Sequence, residues 1–123
     1  MSDIEHDAER ILQQLAQAKD PHDLDKLDGP FHRKLSSLEG EKAAPKEMLE
    51  RLRLFWEMLK TPDEVVSFKS KALIMGAVSY FASPLDLIPD SLGVAGYFDD
   101  KMVVNIVFNR LHDEITAFKT HRS

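Results

Sequence analysis

The chain contains no cysteine. Disulfides, thiolate zinc sites, iron–sulfur clusters and a cysteine nucleophile are thereby excluded. Positive charge is in deficit: 16 Lys and Arg stand against 21 Asp and Glu, a formal net charge of −5 over 123 residues. That balance disfavours general nucleic-acid binding, which relies on clustered Lys and Arg to displace counterions from phosphates. Long hydrophobic runs are missing too. The longest uncharged stretch, Ala72 to Leu85, has 14 residues. As a helix it would extend about 21 Å at ~1.5 Å per residue, short of the roughly 30 Å hydrocarbon core of a bilayer. Alternating β-branched runs are scarce, and neither Gly-x-x-x-x-Gly-Lys-Ser/Thr nor Gly-x-Gly-x-x-Gly occurs, so phosphate-cradling loops of those types are excluded. No basic segment followed by an apolar one opens the chain, and the expectation is a cytosolic protein.

What is present is helical periodicity in a composition that is 43% apolar and 30% charged, as in a single globular domain. A first helix is expected over Asp3–Lys19, with Ser2 and Glu5 as a capping box and Ile4, Ala8, Ile11, Leu12, Leu15 and Ala18 on one face. Asp20-Pro21-His22-Asp23 reads as N-cap to N3 of the next segment. Leu24, Leu27, Phe31, Leu35 and Leu38 follow at helical spacing, but Gly29-Pro30 predicts two short helices or one sharp kink. Pro45 starts a third helix with a stripe of Met48, Leu49, Leu52, Phe55, Trp56 and Leu59. Thr61-Pro62-Asp63-Glu64 is expected to stop that helix and cap a fourth. The fourth is amphipathic up to Lys71 and apolar on every side from Ala72 to Ala82. An all-round apolar helix is buried, in protein or in lipid; its short length favours protein. A last helix is expected over Asp99–His121, with Val103, Val104, Val107, Phe108, Leu111, Ile115 and Phe118 as its stripe. Lys119, His121 and Arg122 near its end have the sign that complements the helix dipole.

Between the two most apolar helices lies Ser83-Pro84-Leu85-Asp86-Leu87-Ile88-Pro89-Asp90, followed by a spacer with Gly93 and Gly96 and by Asp99-Asp100. Ser83, Pro84 and Asp86 suit N-cap, N1 and N3 of a short turn, which Pro89 then ends. With Tyr80 added, this pattern resembles the signature of the YkvA-like family, domain of unknown function 1232, widespread in bacteria: Tyr-x-x-Ser-Pro-x-Asp-Leu-Ile-Pro-Asp, a glycine-containing spacer and Asp-Asp. Tyr80, Ser83, Pro84, Asp86, Leu87, Ile88, Pro89, Asp90, Gly96, Asp99 and Asp100 all match, within a resemblance spanning roughly residues 66–107. It implies a helical hairpin and carries over no reaction. Members of the family are commonly described as membrane proteins of unknown activity.

Two readings of the corner follow from its residues. Asp86, Asp90, Asp99 and Asp100 could supply hard oxygen ligands to Mg²⁺ or Ca²⁺ if the two turns approach each other. The simpler reading, preferred here, makes them helix caps. His112-Asp113 lacks a matching second ligand histidine and reads as a solvated face. Tyr80, Phe81, Tyr97 and Phe98 wall the core or mark a membrane interface.

The expected fold is an all-α bundle of about five helices forming one domain, 1–123. The Ala72–Ala82 helix is central, the Pro/Asp-rich segment a rigid corner, and residues 1–60 a cover over a YkvA-like core at 61–123. Three functions are compatible with it, in this order. The first is a non-enzymatic interaction module with a protein partner or with itself through Met102, Ile106 and Ala117. The second is a peripheral or partly inserted membrane protein. The third is a divalent-metal protein or metal-dependent enzyme. No cofactor is expected under the first two.

Overall fold

The computed structural model describes residues 9–10, 12–13, 16–17, 24–42, 45–82 and 100–122. Among the described residues five α-helices can be delimited in order: α1 (Asp25–Glu39), α2 (Lys46–Leu59), α3 (Phe68–Ala82), α4 (Asp100–Arg110) and α5 (His112–Arg122). No strand occurs among the described residues. The chain is an all-α bundle, as its periodicity predicts.

α3 is the centre. It packs against α4, α1 and α2, and α2 also packs against α4. Ile74, Ala77, Val78 and Phe81 are fully buried and Met75 nearly so, while Leu73 is partly buried against the same core. Around it lie Phe31 of α1, Leu52, Phe55 and Met58 of α2, and Val103, Val104 and Val107 of α4, all at 0% exposure. The Phe31 ring joins three helices: it stacks on Trp56 at 5.0 Å between centroids and meets the Phe81 ring edge-on at 5.8 Å. Because α2 touches α1, α3 and α4, Leu54 and Met58 are buried although they lie off its expected stripe. Trp56, on that stripe, is half-buried beside α1.

Four expectations are corrected or bounded. Gly29-Pro30 does not divide α1, which runs unbroken from Asp25 to Glu39. Proline disfavours α geometry in the preceding residue partly through that residue's Cβ, and Gly29 has none. Asp25 and Asp28 in the first turn favour the positive helix end, while Leu24 provides no side-chain cap. Thr61–Glu64 does not cap the fourth helix. Val65 and Val66 amides donate to the Pro62 carbonyl at 2.9 and 3.1 Å, closing a separate turn, and α3 begins at Phe68. Its N-cap is Ser67, whose Oγ accepts from the Ser70 amide at 3.2 Å. The last helix is divided at Leu111, although Leu111 N to Val107 O and Ile115 N to Leu111 O keep i to i−4 bonds of 3.0 and 2.8 Å. Thr116 Oγ1 back-bonds the His112 carbonyl at 3.0 Å, a contact that bends helices. Finally, Glu9, Arg10, Leu12, Gln13, Ala16 and Gln17 are helical, with Leu12 in the core. The Ser2–Glu5 box and the Asp20 cap lie outside the described residues.

Candidate functional site

Ser83, Pro84, Asp86, Leu87, Ile88, Pro89, Asp90, Gly96 and Asp99 lie outside the described residues. The corner is framed by its two ends. Tyr80, in the last turn of α3, is 6% exposed within the core cluster, and Phe81 is fully buried; Asp100 is the first residue of α4. For Tyr80 and Phe81 the core reading holds over the interfacial one. Among the described residues no group of three His, Cys, Asp or Glu side chains is placed to hold a metal ion. His112 is exposed beside Asp113, 3.5 Å away, on a solvated face.

The described polar chemistry gathers at the ends of α3. That helix has no acidic residue in its first turn and no basic residue in its last, so it complements neither end of its own dipole. Other helices do so. At the N-terminus the Glu114 carboxylate of α5 accepts from the Ser67 amide at 3.1 Å and from the Ser70 hydroxyl. This is a capping box whose carboxylate comes from a different helix. At the C-terminus Lys34 of α1 donates through Nζ to the Phe81 carbonyl at 2.6 Å and lies 4.8 Å from the Phe81 ring centroid. Lys71, one turn into α3, is buried with 3% of its side chain exposed. Its ammonium donates to the Thr61 carbonyl and to Asp63 Oδ1, 2.7 Å away. A buried charge is tolerated only when paired and hydrogen-bonded, and the 61–66 turn supplies both partners.

These groups are engaged in holding helices together. Ser70 donates to a carboxylate rather than to an imidazole. Ser79 Oγ, also buried, has no hydrogen-bond partner among the described residues, and a hydroxyl without a base is a poor nucleophile.

The surface between α2, α4 and α5 is different. A groove of about 480 Å³ is lined by Glu47, Glu50, Arg51, Arg53, Leu54 and Glu57 of α2, Phe108 of α4, and Lys119 and Arg122 of α5. The Arg51 guanidinium lies 4.0 Å from the Phe108 ring centroid and Lys119 Nζ 5.9 Å from it. Arg51 is further fixed by Glu47 and by donation to Asn105 Oδ1. Arg53 donates to Glu39 Oε1 at 3.1 Å through Nε and 2.7 Å through Nη2. Arg122 pairs with Glu57. Nothing in the one-dimensional pattern marks this groove: Arg53 and Glu57 read as the solvated side of α2, and Lys119 and Arg122 as dipole partners of the last helix.

Fold and chemistry thus define a helical bundle built on a buried apolar helix packed against α1, α2 and α4. Residues 70–106 match the model of a family described as a protein of unknown function (DUF1232), inside the stretch that carries the YkvA-like signature. The chain is also similar to the uncharacterized membrane protein YkvA of Bacillus subtilis (strain 168), with 26% identity over 83 residues, 63% of this chain and 76% of that protein. The YkvA-like resemblance stands on both. No solved structure matches. No described helix is long and apolar enough to cross a membrane.

Proposed function

We propose that this chain is a non-enzymatic helical interaction module that presents the α2–α4–α5 groove to a protein partner. One observation carries the reading. The buried polar side chains Ser70 and Lys71 are occupied in tying α3 to α5 and to the 61–66 turn, whereas the groove holds cations in fixed positions over an aromatic floor at the surface. Arginine and aromatic side chains already ordered before binding lose little entropy on contact, which suits recognition. The test is site-specific photo-crosslinking in cells. A photoreactive residue at Glu50 in the groove should give a discrete adduct, and one at Ser36 on α1 should not. Equal labelling at both positions, or none at either, would sink the proposal.

A second reading is peripheral membrane association, favoured by the similarity to YkvA of Bacillus subtilis, a protein described as a membrane protein. Here α1 and α2 would cover in protein a hairpin that relatives present to lipid. Its test is flotation of detergent-free protein with anionic and neutral liposomes. Protein left at the bottom of both gradients speaks against it.

A further inference from the structure

We infer that α5 is a releasable strap: it undocks as a unit beyond Leu111 while α1 to α4 stay folded, and its seating completes the α2–α4–α5 groove. Its attachments are few and mostly polar. Of its 11 residues only Ile115 and Phe118 are buried, whereas α2 buries seven apolar side chains. α1 buries three but packs against both α2 and α3. The close neighbour of α5 among the described helices is α4, the helix it follows. Beyond its two apolar anchors α5 is held by polar contacts. Glu114 accepts from the Ser67 amide at 3.1 Å and from the Ser70 hydroxyl, Arg122 pairs with Glu57, and Lys119 Nζ lies 5.9 Å from the Phe108 ring centroid. The Arg122 and Glu57 side chains are both about half exposed, and such a pair contributes little because water and salt screen it.

The division at Leu111 sets where release begins. Leu111 is buried in the core cluster and its amide donates to the Val107 carbonyl at 3.0 Å, so the end of α4 stays anchored. Beyond it, Thr116 Oγ1 donates to the His112 carbonyl at 3.0 Å and Thr120 Oγ1 to the Thr116 carbonyl at 3.1 Å. Such back-bonds slightly destabilise a helix. Isolated helices shorter than about 12–15 residues are marginal in water, so α5, with 11, unwinds once undocked and its amides lose protection together. The groove changes with it. Lys119 and Arg122 belong to α5, while Arg51, Arg53 and Phe108 stay with α2 and α4. Undocking withdraws two of the groove's four cations and parts Glu57 from Arg122. The strap requires no particular occupant of the groove and stands apart from the interaction-module reading.

The experiment is native-state hydrogen exchange of the full-length protein, followed by NMR across a series of low urea concentrations. The amides of Ile115, Ala117, Phe118 and Lys119 should share one opening free energy and one shallow urea slope, because undocking exposes less surface than global unfolding. Without urea they should exchange at least about tenfold faster than those of Ile74, Val78 and Phe81. Phe118→Ala should bring the α5 amides close to unprotected rates, while Ile74, Val78 and Phe81 stay protected and Trp56 keeps its native emission. A free energy and slope common to α5 and α3 would overturn the inference, since α5 would then open only with the whole bundle. So would rates that climb residue by residue toward Arg122 without a shared slope, which is end fraying, or outright unfolding of Phe118→Ala. A failed groove crosslink alongside a shared α5 opening would reject the interaction module and leave the strap standing.

Discussion

The buried Lys71–Asp63 pair has an asymmetry that mutagenesis can read. Lys71 exposes 3% of its side chain and Asp63 exposes 42%. Asp63→Ala leaves an ammonium buried with the Thr61 carbonyl as its remaining described partner. Breaking a buried pair from one side costs ~3–5 kcal/mol, and the half-wet position of Asp63 places this case near the lower end. Lys71→Met removes the charge, keeps the stem's volume and leaves Asp63 in contact with water. Replacing a buried charge by an apolar isostere is close to neutral, within about 1 kcal/mol. A domain of this size shifts by roughly 3–5 °C per kcal/mol. Asp63→Ala should therefore lower Tm by about 10–15 °C and Lys71→Met by less than about 5 °C. The double variant should melt near Lys71→Met alone, since the stranded charge is gone. Circular dichroism at 222 nm provides the melting curves. Equal losses from both single changes, or no rescue in the double variant, would refute the asymmetry and the burial of Lys71 with it.

Other predictions follow the helix ends and the core. Glu114→Gln should cost about 1 kcal/mol in urea unfolding, because a charged acceptor at the α3 N-terminus becomes a neutral one; an unchanged midpoint would mean that α3 is not capped in trans. Lys34→Met, which keeps the aliphatic stem, should cost about 0.5–1 kcal/mol by removing the cation at the α3 C-terminus, and Lys34→Arg should recover most of it. Pro30→Ala should stabilise by about 1–2 kcal/mol, because a helix-interior proline is ~3 kcal/mol worse than alanine and its restriction of the unfolded chain returns only part of that; a fall in stability would show that α1 needs the break. Phe31→Leu should cost about 1–3 kcal/mol and change the emission of Trp56, the single tryptophan, whose ring stacks on it. An unaltered spectrum in a folded variant would contradict that packing.

Helix identity was legible in the pattern because burial imposes a 3.6-residue period on α1, α2 and α4, and its loss over Ala72–Ala82 marks a helix surrounded on every side. Local chemistry misled where tertiary contacts outweighed it. Gly29-Pro30 and Thr61–Glu64 carry strong turn signals. Packing of Leu27, Phe31 and Leu35 nevertheless keeps α1 continuous, and the 61–66 turn serves as the seat of Lys71 rather than as a cap. Glu114 and Lys34 lie 44 and 47 residues from the groups they satisfy. Spacing along one helix cannot reveal a cap donated by another. The groove escaped for the same reason, since Arg51, Phe108 and Lys119 meet only when three helices assemble. The motif residues from Ser83 to Asp99, the part most specific in sequence, lie outside the described residues, so their capping and metal readings stay as the pattern left them.

Coverage of α3 by protein rather than lipid is tested most directly by hydrogen exchange on the purified, detergent-free chain. The amides of Ile74, Met75, Ala77, Val78 and Phe81 should be among the slowest to exchange, at rates tracking global unfolding, while those of Thr61, Asp63 and Glu64 exchange early. Fast exchange across 74–81 in water, with protection appearing only when detergent or lipid is added, would contradict the buried central helix.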